Sequence, residues 1–391
     1  MHILIIPSWY PTFKDDISGS FFREQALALK EYGHRVGVIY PQIRSLRNIK
    51  SIFTKPYGCQ SENDSGLLTL RWYGINFFPK LPQLARRYWI NCGLALFEEY
   101  IKKNGKPDIL HVHSLLNAGY LAREINKKYS IPYVITEHSS AFARGLVPKH
   151  LITNLSDVLT NSSKCIAVSE KFCQLLEQTF IGTVWKYIPN IVNEVFLQEI
   201  IYSETLDFEL INVCFLTKNK KVDLLIFAFA KALMQEPSLK LKIGGDGPER
   251  PYLENLVKEL KIAHAVTFLG LLSREQVKSE INKSSAFVVA SEYETFSVVI
   301  VEALALGKPV VATRCGGPES IIQPEVGYLV ENNSIEAMAV AILKLHDNYN
   351  NFKAEDVREY CKNNFSGQAV VEKLGQIYKD SLQIEQPYES I

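Results

Sequence analysis

The 391-residue sequence lacks the features of a disulfide-bonded or membrane-spanning protein. Its seven cysteines are an odd number without a Cys-x-x-Cys pair, which argues against a disulfide framework and a zinc cage and predicts reduced thiols in a cytosol. The uncharged run Tyr88–Phe97 is far shorter than the roughly 20 residues that span a bilayer. The apolar start, Met1–Pro7, has no basic region and no small-residue cleavage site, so it predicts a first strand instead of a signal peptide.

Several ligand-binding motifs are also missing. There is no Asp-x-Asp pair suited to a metal ion. The glycine-rich run Gly244–Gly247 has neither the Lys-Ser/Thr of a Walker loop nor the Gly-x-Gly-x-x-Gly spacing of a dinucleotide site. A dinucleotide-dependent oxidoreductase is therefore disfavoured, and the absence of a recognition module disfavours nucleic-acid binding.

The remaining pattern is that of a two-domain α/β protein. Hydrophobic residues at 47% and charged residues at 22% are near the averages for soluble globular chains. Short apolar runs alternate with helical periodicity, as in doubly wound parallel sheets. We predict a domain over 1–190, a second over 191–365 and a helical tail over 366–391. The predicted strands cover 2–6, 34–40, 109–113, 132–136, 165–168, 211–216, 239–243, 266–269, 287–290 and 309–312.

A pair of carboxylates marks the second domain. Glu294 follows a predicted strand, and Glu302 lies eight residues later inside an otherwise apolar helix. The residues that open this helix, Thr295, Phe296, Ser297 and Val298, would offer free backbone N–H groups and the positive dipole end to a diphosphate. A carboxylate in an apolar helix needs a partner, and ribose hydroxyls are suitable donors. The alternative is a capping glutamate and a solvent-facing one.

This stretch resembles the signature of glycosyltransferase family 4, the retaining GT-B enzymes. The signature is Glu-x7-Glu followed by Ala-x-Ala-x-Gly-x-Pro-Val, and Glu294, Glu302 and 303–310 match it. The resemblance implies a GT-B fold, in which two Rossmann-like domains face each other across a cleft and the tail crosses back to the first domain. It also implies that Glu302 holds the nucleotide ribose and that Glu294 faces the donor sugar.

Two further motifs of the second domain match the family in part. The run from Gly244 to Arg250 resembles its Gly-Asp-Gly-Pro turn, where Gly245 would let the backbone approach the nucleotide; a plain tight turn is the alternative. Lys220 falls on the lysine that contacts the donor diphosphate, against the alternative of a solvated basic turn. Phe215 stands where the family usually has arginine, so charge stabilisation would depend on Lys220, helped by Lys218.

Three residues of the first domain lie at or after the ends of predicted strands. Gly19 matches a glycine of a family subgroup that approaches the donor phosphates at a helix start, and His138 matches the family's sugar-facing histidine. Gly19 could equally be a helix-start turn. For His113, taken alone, a structural role is the better interpretation.

The family implies transfer of a sugar, of hexosyltransferase type, from a UDP- or GDP-linked donor to a hydroxyl of a glycan or lipid-linked acceptor, with retention of configuration. We predict a role in surface polysaccharide or lipid-linked glycan synthesis. Glu294, His138 and Lys220 are the predicted catalytic residues, and no metal or other cofactor is expected. The alternative, motivated by Phe215, is a nucleotide-sugar-binding partner subunit with weak or no turnover.

The neutral total charge hides an asymmetry. Residues 1–190 have 23 Lys and Arg against 14 Asp and Glu, whereas residues 191–391 have 20 against 28. Arg44, Arg47 and Lys50 recur every third position, and aromatic residues and further cations follow between Trp72 and Trp89. Two interpretations stay open: an ordinary domain face, or peripheral attachment of a cytoplasmic protein to the anionic inner face of the cell membrane.

Overall fold

The computed structural model describes residues 1–13, 16, 18–45, 56–198 and 207–383. The chain forms two compact units. The first comprises Met1–Val168, Cys173–Ile191 and Val370–Ile391, and the second comprises Ser169–Phe172 and Val192–Ala369. The chain therefore leaves the first unit near residue 191 and rejoins it at residue 370.

An eight-stranded sheet forms the centre of the first unit. Its strands are β1 (His2–Pro7), β2 (Arg35–Ser45), β3 (Gly58–Asp64), β4 (Leu67–Asn76), β5 (Ile109–His113), β6 (Tyr133–Glu137), β7 (Lys164–Ala167) and β8 (Trp185–Tyr187). They lie in the order β3-β4-β2-β1-β5-β6-β7-β8, and every pair is parallel except β3 with β4. The strands β1, β5 and β6 are buried along their whole length, as expected for parallel strands that are covered on both faces.

Helices connect these strands. They are α1 (Ser20–Glu31), α2 (Pro82–Asn104), α3 (Tyr120–Tyr129), α4 (Ser140–Ala143), α5 (Lys149–Thr160) and α6 (Glu170–Thr179). Helix α1 buries Phe22, Ala26 and Leu29 against the sheet, which follows from their 3- and 4-residue spacing along one helix face.

The second unit contains a six-stranded, all-parallel sheet. Its strands are β9 (Glu209–Val213), β10 (Lys240–Gly244), β11 (Val266–Gly270), β12 (Ala286–Val289), β13 (Val310–Thr313) and β14 (Gly327–Val330), in the order β11-β10-β9-β12-β13-β14. Its helices are α7 (Glu194–Leu197), α8 (Val222–Leu233), α9 (Arg250–Glu259), α10 (Arg274–Lys283), α11 (Val298–Ala305), α12 (Ile335–Asp347) and α13 (Ala354–Phe365).

The last described helix, α14 (Gly367–Gln383), completes the core of the first unit. Its apolar residues Val370, Leu374, Ile377 and Tyr378 are buried in one cluster with residues of β1, β2, α1 and β5. The first unit is thus built from the beginning and the end of the described chain.

Each sheet has a point at which its strand order changes direction. In the first unit this point lies between β1 and β5, and in the second it lies between β9 and β12. The loops that leave two such neighbouring strands run to opposite faces of the sheet, so a crevice opens beyond their carboxyl ends. These two strand ends are where ligand-binding side chains are expected.

Near the start of α2, not all of the aromatic residues between Trp72 and Trp89 are exposed as a membrane contact would require. Trp89 is only 6% exposed, so it packs in the interior and is not a surface anchor. Arg86 lies over the Tyr120 ring at 4.8 Å. Exposed side chains remain at Phe77, Lys80, Leu81, Leu84 and Arg87, and we call this group the α2 edge.

The cations predicted upstream of this edge are only partly described. Arg44 lies on β2, whereas Arg47 and Lys50 lie outside the described residues. Within the described ranges, no helix combines the length and the apolar character needed to cross a bilayer.

Candidate active site

The loop after β9 places Lys220 at the strand-order change of the second unit. A short 3₁₀ turn, Lys218–Lys220, follows this strand, and Lys221 adopts a left-handed conformation with φ of 47° before α8 begins. The turn leaves Lys218 exposed, whereas Lys220 is directed back toward the strand ends and is half-buried. Two lysines of one turn therefore lie in different environments.

Lys220 forms an ion pair with the first of the two signature glutamates. Its Nζ atom lies 2.5 Å from Oε1 of Glu294, which also accepts a hydrogen bond of 2.8 Å from the Ser291 hydroxyl. Burial by itself lowers the pKa of Lys220, but the Glu294 carboxylate outweighs this effect and raises that pKa. Lys220 is therefore a cation at neutral pH.

The loop that carries Glu294 is fixed by its backbone. The Glu294 N–H donates to the Cys315 carbonyl at 3.0 Å, and the Glu294 carbonyl accepts from the Gly317 N–H at 2.8 Å. Asn219 holds the other side, since its side chain donates to the Tyr293 carbonyl at 3.0 Å. A Cβ atom on Gly317 would lie 2.3 Å from the Phe296 carbonyl oxygen, so only glycine permits this contact. The position of Glu294 is thus set by contacts with two other loops, those after β9 and β13.

The helix that follows this loop begins without a cap. Ser297 precedes α11 with φ of 85°, makes no capping hydrogen bond through its side chain, and no acidic residue occupies the first turn. Its hydroxyl is buried and has no hydrogen-bond partner among the described residues. The preceding Thr295 is half-buried and Phe296 is buried, while Val298 is the first helical residue. The first N–H groups of a helix have no partner within it, so this start is suited to an anion.

Glu302 lies inside α11 and is 7% exposed. The other residues from Ile300 to Ala305 are apolar and buried, so this carboxylate is placed in a largely apolar helix. The helix positions it on the same element whose start adjoins Glu294.

Gly245 occupies a turn that only glycine can form. Its φ is 114°, and a Cβ atom there would lie 1.8 Å from the carbonyl oxygen of Cys214. Leu216 donates its N–H to the Asp246 carbonyl at 2.9 Å, which ties this turn to the loop after β9. The glycine-rich turn therefore lies against the loop that leads to Lys220.

Phe215 lies in the loop after β9 and is 65% exposed. A neutral aromatic side chain at this position adds no charge to the site. Among the described residues, Lys220 is the cation that pairs with Glu294.

The strand ends of the first unit contain a second group of predicted residues. Gly19 precedes α1 with φ of 75°, and a Cβ atom there would lie 2.9 Å from Cδ1 of Trp9. His113 ends β5, and its Nδ1 atom lies 3.1 Å from Nε2 of His138, which follows β6. The Phe22 ring packs against both histidines, with centroid distances of 4.7 and 4.9 Å.

Both histidines are neutral. Burial lowers the pKa of His138 to about 3, and burial also lowers the pKa of His113 well below its ordinary value. Nδ1 of His138 and Nε2 of His113 are buried without a hydrogen-bond partner among the described residues. Both atoms are shielded from solvent, and the Asn190 side chain partly offsets the effect of burial on the pKa of His138.

Glu137 is a site residue that sequence reasoning missed. It is fully buried, and its carboxylate accepts hydrogen bonds from the Ser114 hydroxyl and from the N–H groups of Leu115, His138 and Ser139, at 2.7 to 2.9 Å. Burial raises the pKa of Glu137, and these four donors oppose that effect. The carboxylate joins the loops after β5 and β6 and so holds the backbone of His138.

Within the described part of the chain, no three His, Cys, Asp or Glu side chains are grouped so that they could hold a metal ion. Lys220, Glu294, Gly245, Ser297 and Glu302 belong to the second unit, and Gly19 and His138 belong to the first. The predicted residues thus form one group in each unit, each at the carboxyl ends of its strands.

Two family models match most of the chain. The model of Glycosyltransferase Family 4 matches residues 18–195, and the model of Glycosyl transferases group 1 matches residues 202–365. A glycosyltransferase of Methanocaldococcus jannaschii is 32% identical over 280 residues, which cover 70% of this chain and 75% of that protein. The N-acetyl-alpha-D-glucosaminyl L-malate synthase of Bacillus anthracis is 31% identical over 297 residues, with the same two coverages.

Solved structures have the same fold over nearly the whole chain. Sucrose-phosphate synthase from Thermosynechococcus elongatus superposes with a TM-score of 0.76 at 20% identity and covers 98% of this chain and 100% of its own. Anabaena HepE in complex with UDP and glucose superposes with a TM-score of 0.70 at 17% identity, covering 97% and 100%. The chain is therefore a glycosyltransferase that belongs to glycosyltransferase family 4 and has the GT-B fold.

Proposed function

We propose that the second unit binds a nucleotide diphosphate sugar and that the enzyme transfers this sugar to an acceptor hydroxyl with retention of configuration. The observation that carries the proposal is the Lys220–Glu294 pair beside the uncapped start of α11. A cation, a carboxylate and a helix N-terminus at one strand-order change suit a ligand that has both a diphosphate and a sugar.

The diphosphate needs local positive charge. Residues 191–391 have eight more acidic than basic residues, so the average field of this part of the sequence repels an anion. Lys220 and the N–H groups at the start of α11 oppose that field where the phosphates are proposed to bind. The unpartnered hydroxyl of Ser297 adds a hydrogen-bond donor at the same place. We expect these groups to stabilise the leaving diphosphate without a metal ion.

The two glutamates have different proposed roles. Glu294 is held by Lys220 and Ser291 at the strand ends, which suits contact with the hydroxyls of the donor sugar. Glu302, inside α11, is proposed to accept hydrogen bonds from the nucleotide ribose. Gly245, in its tight turn, allows the backbone to approach the nucleotide closely.

In the proposed reaction, the leaving group departs from, and the acceptor attacks, the same face of the sugar. The bond from the anomeric carbon to the phosphate oxygen breaks while the bond to the acceptor oxygen forms on the same face. The acceptor proton moves to the departing phosphate oxygen. Lys220 then neutralises charge that develops on the diphosphate, and no covalent sugar–enzyme intermediate is formed.

The first unit is proposed to contribute His138 and Gly19. The neutral imidazole of His138 suits a sugar hydroxyl, because it can donate or accept one hydrogen bond at Nδ1. Gly19 permits a close backbone approach at the start of α1. Both roles are those that the family resemblance implies.

The relatives indicate which donors should be tried first. HepE was solved with UDP and with UDP-glucose, and the Bacillus anthracis relative is an N-acetyl-alpha-D-glucosaminyl L-malate synthase. We therefore propose hexosyl transfer from a UDP-linked sugar, with GDP-linked sugars as the second choice. A matching donor should raise the melting temperature of the protein, since binding to the folded state stabilises it.

The direct test is transfer of a radiolabelled sugar with and without a chelator, followed by determination of the anomer of the product. We expect retention, activity in excess EDTA and, for Glu302→Gln, a donor KM that is higher by about tenfold, the cost of about 1.4 kcal/mol for a weakened charged hydrogen bond. Glu292→Gln is the matched control, because Glu292 is an exposed acid of the preceding loop. Abolition by EDTA, or an unchanged Glu302→Gln enzyme, contradicts the proposed site.

The same assay distinguishes the alternative function from an active transferase. A nucleotide-sugar-binding partner subunit would show the thermal shift with a donor but would release no sugar. Phe215, exposed where the family usually has arginine, is the reason to measure both.

The α2 edge is the proposed contact with an anionic membrane that presents a lipid-linked acceptor. Phe77, Leu81 and Leu84 are 55%, 54% and 44% exposed, and the sequence from 65 to 97 contains no Asp or Glu. Exposed apolar side chains beside cations are typical of surfaces that bind anionic lipid.

Vesicle sedimentation tests this contact. Replacing both Lys80 and Arg87 with alanine should weaken binding to anionic vesicles about 30-fold, because each surface cation contributes about 1 kcal/mol. The control replaces Lys127 and Lys186, two exposed lysines of the same unit, and should bind like the wild type. If the wild type does not bind anionic vesicles at low salt, the α2 edge is an ordinary domain face.

A further inference from the structure

The pair His113–His138 is connected to the tail helix through a third histidine. His111 and His113 are two residues apart on β5, so both side chains lie on the same face of the sheet. Their rings stack with centroids 4.3 Å apart. Nδ1 of His111 lies 2.7 Å from the hydroxyl of Tyr378 on α14, and its Nε2 lies 2.8 Å from Oγ1 of Thr136. Both nitrogens of His111 are thus engaged, and its ring plane is fixed.

The fixed His111 restricts His113. One face of the His113 ring stacks on His111, and the Phe22 ring lies 4.7 Å from its centroid. His113 is fully buried, so it has no room to rotate and its Nδ1 atom stays directed to His138.

Because both rings are neutral, the hydrogen bond between His113 and His138 links their proton positions. Burial lowers the pKa of both rings, so each has one N–H and one lone pair. In their mutual hydrogen bond one ring donates and the other accepts. The proton positions on the two rings are therefore linked: if Nδ1 of His113 donates, Nδ1 of His138 carries the proton, and if it accepts, Nδ1 of His138 is a lone pair.

We propose that His113 is a positioning residue that sets the tautomer and the ring orientation of His138, and that Tyr378 on the tail helix supports it through His111. This proposal rests on the proposed function, in which Nδ1 of His138 meets a sugar hydroxyl. A hydroxyl can be donor or acceptor, but a bound sugar offers it in one role, so a fixed tautomer avoids an energetic penalty in the complex.

A purely structural role is the competing explanation. Apolar side chains of similar volume fill a core without desolvating three imidazoles, which burial makes costly unless they are hydrogen-bonded. The two roles differ in a measurable way. A structural histidine affects stability, whereas a positioning histidine affects turnover and the protonation state of its neighbour.

The test compares two replacements of His113. Asparagine places a polar atom near the position of Nδ1, whereas leucine removes it. We expect His113→Leu to lower kcat about tenfold, with the donor KM unchanged, because removal of a group that orients a functional histidine costs about 10- to 100-fold. His113→Asn should remain within about threefold of the wild type. Selective ¹⁵N labelling of histidine should show that the His138 tautomer is single in the wild type and mixed in His113→Leu.

A buried histidine outside this cluster provides the control. His2 lies at the start of β1 and makes a hydrogen bond of 2.7 Å with the Tyr100 hydroxyl. We expect His2→Leu to lose stability but to keep kcat and the His138 ¹⁵N signals. Tyr378→Phe, which removes only a hydroxyl, should shift the His138 tautomer in the same direction as His113→Leu.

The outcomes distinguish a failure of the proposed function from a failure of the role assigned to His113. A wild-type protein without transferase activity, or a fully active His138→Ala variant, contradicts the proposed function. If His138→Ala is impaired while His113→Leu keeps its kcat and a single His138 tautomer, the role of His113 is wrong and the proposed function stands. An unchanged tautomer in Tyr378→Phe overturns the part assigned to the tail.

Discussion

Replacing Lys220 with methionine should lower kcat/KM for the donor by about 10³-fold. Lys220 is the ammonium group of the Lys220–Glu294 pair, and removal of a preorganised group that stabilises transition-state charge typically costs 10²- to 10³-fold in rate. The loss of the cation also leaves Glu294 without its ion-pair partner near a diphosphate. Initial rates of sugar transfer at several donor concentrations give this value.

Lys218 provides a matched control for this replacement. It lies in the same 3₁₀ turn and is exposed. Lys218→Met should keep kcat/KM within about threefold of the wild type, because exposed charges interact weakly through water. Equal losses for the two variants would assign the effect to the net charge of the turn, and an active Lys220→Met enzyme would remove Lys220 from the reaction.

Replacing Gly245 with alanine should destabilise the second unit by more than about 4 kcal/mol. A left-handed backbone costs an alanine about 1–2 kcal/mol, and the added methyl group overlaps the Cys214 carbonyl oxygen at 1.8 Å. The turn at Gly245 and the loop after β9 must then separate, which displaces the segment leading to Lys220. Thermal unfolding and soluble yield measure the effect.

Gly270 provides a control that separates the steric cost of the Gly245→Ala replacement from its conformational cost. It also has a positive φ, 72°, but a Cβ atom there would meet only the flexible end of Arg250, at 3.3 Å. Gly270→Ala should cost only the conformational 1–2 kcal/mol. If both alanine variants melt at the same temperature, the close approach at Gly245 does not control the stability of this unit.

The α/β class and the GT-B fold predicted from the sequence are confirmed. The strand over 109–113 has the predicted limits, and Glu302 lies inside a helix, as predicted. These elements have strong local signals, because continuous apolar strands and apolar helical periodicity do not depend on distant residues. The placement of Lys220 and Glu294 after strands followed from the same signals.

Other features depended on pairings that no local pattern specifies. The strand β3 is a polar edge strand with alternately exposed residues, so it lacks an apolar run; its one clue was the turn at Ser65 and Gly66, both with positive φ. The ion pair between Lys220 and Glu294 joins residues 74 positions apart and requires β9 to lie beside β12. Sequence periodicity does not give strand order, so each residue was predicted but their contact was not.

Glu137 shows a third reason why part of the site could not be predicted from the sequence. Three of its four donors are backbone N–H groups, and backbone donors leave no trace in the residue pattern. The sequence signal was a single acid at the end of an apolar strand, and such a residue is usually exposed. The same reasoning applies to His111, whose partner Tyr378 lies 267 residues later.

The return of α14 to the first unit determines the order in which the two units can be completed during synthesis. The residues of the second unit emerge from the ribosome before residues 370–383, so its contiguous sheet can form while the first unit still lacks part of its core. Until then, the surface that later receives Leu374, Ile377 and Tyr378 is open to water or to chaperones. The hydroxyl that anchors His111 therefore arrives last, and the histidine cluster is assembled only after residue 378 has been translated.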